Sequence, residues 1–219
     1  MKGAVVSTYR DAIEHLPPGG MLVVRDLTWE EYEELLKELS DRPGVRVTFD
    51  QGRLQAVSPL RKHEQCAQVI SDMALLAADA LDLPLERLGS TTLRQAERLR
   101  GVEPDCCFYI ANAHRIEGKI TLDLDIDPPP DVVVEIDMST DSDAKLPIYA
   151  GLGVPEIWLY DGRRARILEL IEATGKYVDA VQSKFLPCIS AALLEQQLQL
   201  SKTVGQSALR RSFRARLQS

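Results

Sequence analysis

Asp131-Val132-Val133-Val134-Glu135-Ile136-Asp137-Met138 is the stretch on which the fold turns. Its β-branched run has the composition of a strand, and Pro128-Pro129-Pro130 bounds it on the N-terminal side. Side chains alternate along a strand, so Glu135 and Asp137 share one face while Val134 and Ile136 point the other way, into a helical layer. Two carboxylates on so apolar a strand are costly, because desolvation and mutual repulsion both oppose their ionisation. A cation is the natural remedy. Asp105, preceded by Pro104, opens a second predicted strand over 105–110 and completes the acidic set from a neighbouring strand.

The segments on either side place this strand in a mixed α/β architecture. Asp141 to Leu152 reads as a helix with Pro147 in its first turns and Gly153 as its stop, and 155–160 reads as the next strand. Strand, helix, strand around Glu135 implies a parallel pair. Further strands are expected at 163–171 and 176–181, with Asp161-Gly162 and Thr174-Gly175 as turns. Upstream, Thr28 and Glu31 form a capping box that starts a helix over 29–39. The runs 45–50 and 53–57 flank Asp50-Gln51-Gly52 as a hairpin. Apolar positions Cys66, Val69, Ile70, Met73, Leu76, Ala77 and Ala80 recur at helical spacing through a long helix over 60–81, and 91–96 reads as another strand. The expected fold is α/β, a mixed sheet flanked by helices, in one domain over residues 1–200 followed by a basic helical tail over 201–219.

The chain has 219 residues, 45% of them hydrophobic, enough for one substantial core, and no apolar run approaches the length of a membrane span. A soluble cytoplasmic protein is expected, and Cys66, Cys106, Cys107 and Cys188 read as free thiols rather than a disulfide framework. The net charge of -7 argues against a protein that coats nucleic acid through many cationic contacts. It does not argue against a nuclease, whose acidic site attracts phosphate once a divalent ion is the largest local charge. After residue 200 the charged residues are all basic (Lys202, Arg210, Arg211, Arg214, Arg216), a pattern that suits phosphate contact or, more simply, a solvated helix end.

Asp105, Glu135 and Asp137 offer oxygen donors that suit Mg²⁺ or Mn²⁺. Lys145 follows Asp137 by eight residues, and its long stem can return the ammonium to the end of the strand, to orient water or offset charge on a scissile phosphate. Glu64, near the start of the long helix, is a candidate outer ligand, and His63 beside it a candidate for phosphate or an ion's water. The plainer alternatives are ion pairs of Glu135 and Asp137 with Arg94 or Arg98, a surface Lys145, an exposed Glu64 and a structural His63. Tyr149 reads as a core residue within reach of the site.

These residues resemble the Uma2 family of restriction-endonuclease-like proteins, part of the PD-(D/E)XK nuclease superfamily and abundant in cyanobacteria. The resemblance runs through Ser58-Pro59 with His63, Glu103-Pro104-Asp105, Pro130 to Asp137, Lys145, Ile148-Tyr149 and Gly153 to Gly162. It implies a restriction-endonuclease-like core, divalent-metal dependence and hydrolysis of DNA phosphodiesters, with Asp105 and Glu135 as metal-binding acids. The superfamily pattern has a lysine two residues after the second acid, where this chain has Asp137, and Lys145 stands as a migrated equivalent.

Three functions follow for testing. The first is a Mg²⁺- or Mn²⁺-dependent endodeoxyribonuclease, with DNA as partner and a homodimer as the simplest way to cut both strands. The second is a catalytically inactive nuclease-like module that binds DNA or a protein, because fold and function separate easily. The third, a metal-free acid/base hydrolase of glycosidic bonds, is disfavoured by an aromatic content of only 5%.

Overall fold

The computed structural model describes residues 9–39, 44–137 and 142–218, with Ser142 and Asp143 described by their backbone alone. Among the described residues eleven strands build two sheets instead of the single sheet expected from sequence. The smaller sheet has the order β1-β3-β2-β6-β5, from β1 (Met21–Val24), β2 (Arg46–Asp50), β3 (Arg53–Val57), β5 (Leu93–Gln95) and β6 (Arg100–Val102), all antiparallel. The larger has the order β11-β10-β9-β8-β7-β4, from β4 (Glu86–Leu88), β7 (Cys106–Tyr109), β8 (Val132–Ile136), β9 (Glu156–Tyr160), β10 (Ala165–Ile171) and β11 (Lys176–Ala180). Its β8–β9 pair is parallel, as the strand-helix-strand pattern requires, and its other ladders are antiparallel. β1, β4 and β6 have only three or four residues each, too few for an alternating pattern to stand out, and which strands pair into which sheet is a long-range matter that sequence pattern does not give.

Local signals set the elements that were anticipated. Helix α1 (Trp29–Leu39) begins at the capping box: the Thr28 amide donates to Glu31 Oε2 at 2.9 Å and the Glu31 amide to Thr28 Oγ1 at 3.3 Å. The β2–β3 hairpin turns through Gln51 and Gly52, both at positive φ (46° and 96°), the conformation of a tight two-residue turn. Helix α2 (Arg61–Leu81) follows Pro59, and a short helix α3 (Ala113–Ile116) lies between β7 and β8. The helix expected over 141–152 starts as a 3₁₀ turn, Ser142–Lys145, and becomes α-helical only as α4 (Leu146–Leu152). Pro147 explains the switch: it disfavours helical geometry in the residue before it and lacks an amide, so it is accommodated only in a first turn. Gly153 then ends α4 at φ 79°. Met138 and Asp141, the expected ends of the central strand and this helix, lie outside the described residues.

Packing follows the alternation on the central strand. Val132, Val134 and Ile136 join Trp158, Tyr160 and Ile167 on one face of the larger sheet, beneath α2 and two C-terminal helices, α5 (Ala191–Leu200) and α6 (Gln206–Leu217). On the other face Val133, Ile157, Leu159 and Leu168 pack with Ile148, Tyr149 and Leu152 of α4, and with Leu93 and Val102 from the smaller sheet. The smaller sheet buries Val47, Phe49, Leu54 and Ala56 against Tyr32, Leu35 and Leu39 of α1. Gly101 permits that approach, since a Cβ there would collide with the Tyr32 hydroxyl.

The basic tail is helical, as expected, and α6 also inserts Leu209 and Phe213 into the main core. Its cations occupy the outer faces, where Arg210 lies 3.9 Å from Asp72. Phe213→Ala is expected to lower stability by about 3–5 kcal/mol, as for other large-to-small changes in a core. The exposed Arg214→Ala should fall within about 0.5 kcal/mol of the parent. Urea unfolding of the two variants checks this, and equal effects would mean that α6 is not part of the core.

Candidate active site

The ladder between β7 and β8 brings the two leading acids together. Cys106 stands opposite Val134 in antiparallel register at the start of β7. Asp105, at the bend just before it, lies near enough to Glu135 for its charge to raise that acid's pKa. Asp105 is pinned there by its own backbone and side chain: its amide donates to the Val134 carbonyl at 3.1 Å, and its Oδ2 accepts from the Ile136 amide at 2.7 Å. Glu103, two residues earlier, works the same way toward the smaller sheet, accepting from the Val47 amide at 2.9 Å and the Thr92 hydroxyl at 2.7 Å. The Glu103-Pro104-Asp105 segment therefore clamps the two sheets to each other through one half-buried and one buried carboxylate.

Glu135 is 3% exposed. Both its oxygens accept from Lys145 Nζ, at 2.9 and 2.8 Å, and Oε1 also accepts from the Tyr149 hydroxyl. Lys145 thus does bring its ammonium back to the strand, and Tyr149 is at once a core residue and a partner of the acid. Arg94 and Arg98 are not Glu135's partners; Arg94 pairs with Glu33 on α1. Desolvation raises the pKa of Glu135 above the ordinary carboxylate range, the Lys145 charge opposes that rise, and Asp105 adds to it. Burial likewise raises Asp105, against the pull of the Ile136 amide, Lys145 and Arg46.

These groups line one cleft between the sheets. Asp105, Glu135 and Lys145 face it from the larger sheet and the start of α4, His63 from the first turn of α2, and Arg46, Thr48, Arg53 and Gln55 from the polar side of the β2–β3 hairpin. A second groove reaches Asp105 from the other side and shares Arg46 with the first; Glu64, Gln68, Ser71 and Arg87 line it. Arg46 Nη2 donates to Glu64 Oε1 at 2.6 Å, and its Nε lies 3.9 Å from Asp105 Oδ1. Glu64, with 56% of its side chain exposed, holds an arginine at the rim of the site.

Asp137 stands apart from this group. It is the first residue after β8, where alternation no longer dictates a face, and it does not line the cleft; its amide donates to the Tyr160 carbonyl at 2.8 Å and its charge bears on His63. Among the described residues no set of three or more His, Cys, Asp or Glu side chains is grouped closely enough to hold one metal ion. What the site does offer is a pair of adjacent carboxylates, each with a cation beside it. The sequence reasoning missed Arg46, Thr48, Arg53 and Gln55. Their alternation with Val47, Phe49, Leu54 and Ala56 was readable, but nothing in the hairpin itself shows that its polar face turns toward the acids.

The mixed α/β fold, with its sheets flanked by helices, is of the restriction-endonuclease-like kind. The chain belongs to the Uma2 family, described as "Putative restriction endonuclease", which matches residues 29–203. It is also similar in fold to a crystal structure from Anabaena variabilis described as "a putative nuclease belonging to DUF820", with a TM-score of 0.52, 16% identity, and coverage of 78% of this chain and 99% of that one. No curated protein matches the sequence. No helix of the described residues is long and apolar enough to cross a membrane, and all four cysteines are free.

Lys145→Ala strips a buried carboxylate of its counter-charge and should cost about 3 kcal/mol, the low end for breaking such a pair because Lys145 keeps some solvent contact. Adding Glu135→Gln should restore much of that loss. A double-mutant cycle by urea unfolding measures the coupling, and strictly additive effects would show that the pair contributes nothing.

Proposed function

We propose that the chain is a divalent-metal-dependent endonuclease that hydrolyses DNA phosphodiesters, with Asp105 and Glu135 holding the ion. The observation that carries this reading is the meeting of those two buried carboxylates in one cleft that also presents Lys145 and two arginines. The donor set suits a hard ion: its acids are oxygen donors, and Mg²⁺ is commonly held by only one or two protein carboxylates. When bound, Mg²⁺ or Mn²⁺ supplies Lewis-acid charge at the reacting phosphoryl group.

The chain's own groups do the rest. Lys145 opposes the rise that burial gives the Glu135 pKa and lends positive charge where a phosphate oxygen gains negative charge. Tyr149 donates to Glu135 and fixes the direction of its carboxylate. Arg46, held by Glu64, sits against Asp105 at the junction of the two grooves, where a phosphate backbone would pass. Asp137 is an assisting acid near His63. Free thiols suit a reducing cytoplasm, and a symmetric dimer would place two such clefts on the two strands of a duplex.

A second reading, a nuclease-like module that binds DNA or a protein without cleaving, is favoured by two observations: Asp137 occupies the position of the superfamily lysine, and both oxygens of Glu135 already have donors. Supercoiled and linear DNA incubated in Mg²⁺, Mn²⁺ or EDTA separates the two. Nicking is expected with either ion and absent in EDTA, lost in Glu135→Ala, and reduced about 100-fold in Lys145→Ala. Retained cleavage in both variants would remove this site assignment, and binding without cleavage would favour the module.

The pH dependence has a defined sign. Protons compete with the ion for Asp105 and Glu135, and burial holds both above the ordinary carboxylate range. Activity at limiting Mg²⁺ should therefore rise with pH through that raised range, and less Mg²⁺ should be needed for half-maximal rate at the upper end. A rate independent of pH across it would contradict metal binding by these acids.

A further inference from the structure

His63 and Arg46 are the two cleft residues that hold a buried nitrogen without a hydrogen-bond partner among the described residues. His63 is 6% exposed, yet its Nε2 is buried without a hydrogen-bond partner, and it lines the cleft that contains Asp105, Glu135 and Lys145. A buried, unsatisfied polar atom costs about 1–3 kcal/mol, so a partner absent from the protein itself is implied. Other imidazole roles fit less well: no metal-ligand group includes it among the described residues, and Asp137 is close enough to act on its charge without bonding to Nε2.

Two further features say what that partner is. The first turn of α2 carries His63, and its N-cap, Leu60, supplies no side-chain acceptor, so this 21-residue helix brings an uncapped positive end to the cleft beside Pro59. The lining also holds three cations: Arg46 is bonded to Glu64 and Lys145 to Glu135, while Arg53 has no acid bonded to it among the described residues. An orphan ring nitrogen, a helix N-terminus and an arginine not spent on an acid describe a site for an anion with hydrogen-bond acceptors. We infer that the first turn of α2 and the hairpin form a phosphate subsite, in which His63 Nε2–H donates to a non-bridging oxygen of a nucleic-acid phosphodiester and Arg53 offsets its charge. The inference rests on the nuclease reading for the identity of the polymer. It makes His63 a substrate-binding residue that holds the backbone beside the acids, and it requires the neutral tautomer with the proton on Nε2.

The chain's three histidines make this directly observable. Imidazole ¹⁵N–¹H spectra of the full protein in EDTA, assigned with His63→Gln, are recorded during titration with a short DNA duplex. Saturable movement of the His63 signals is expected, with those of His15 and His114 unmoved. In fluorescence anisotropy with the same labelled duplex, His63→Ala should bind about tenfold more weakly, as for loss of a hydrogen bond to a charged group, and His63→Gln, which keeps an N–H donor, should recover part of the loss. Arg53→Ala should weaken binding while leaving thermal stability unchanged. Should the protein cleave DNA in Mg²⁺ or Mn²⁺ while the His63 signals stay fixed, or His63→Ala bind as tightly as the parent, the subsite is wrong and the nuclease reading stands. A protein that neither binds the duplex nor cleaves DNA overturns both.

Discussion

A carboxylate on the central strand of a buried sheet constrains everything near it. Glu135 sits among valines and isoleucines on β8, and an ionised acid there is tolerable only with charge and hydrogen bonds supplied from close by. The supply comes from the connection to the next strand: the 3₁₀ turn ends in Lys145 and α4 contributes Tyr149, both on Glu135. The parallel β8–β9 pairing is what makes this possible, because it demands a crossover, and the crossover passes over the face that Glu135 occupies. Pro147 delays the α-helix until after Lys145, leaving that lysine in a tight turn next to the end of the strand.

The second constraint is how two sheets meet. Glu103 and Asp105 flank Pro104 and spend their carboxylates on backbone amides of opposite sheets, Val47 on one side and Ile136 on the other. That clamp turns the polar face of the β2–β3 hairpin toward the acids and so determines which cations share the cleft with them.

Lys145 approaches Glu135 from the crossover and not from the strand itself, where Asp137 is the charged residue two positions after the acid. A charge beside a carboxylate matters by its distance and its shielding, not by its place in the chain.

Much of the fold was legible in the amino-acid sequence, because those parts depend on near neighbours. The capping box at Thr28, the Gln51-Gly52 turn, the helical spacing through α2, the apolar β8 run and the stop at Gly153 are each decided within a few residues. The acids Asp105 and Glu135 and the lysine Lys145 were legible for a similar reason, since charged residues at the head or the middle of apolar strands are conspicuous. What only the tertiary structure decided was register and direction. The division into two sheets, the approach of Asp105 to Glu135, the departure of Asp137 from the cleft and the entry of His63, Arg46 and Arg53 all depend on strands and helices far apart in sequence. A strand's alternation says which residues share a face, and only long-range packing says what that face meets.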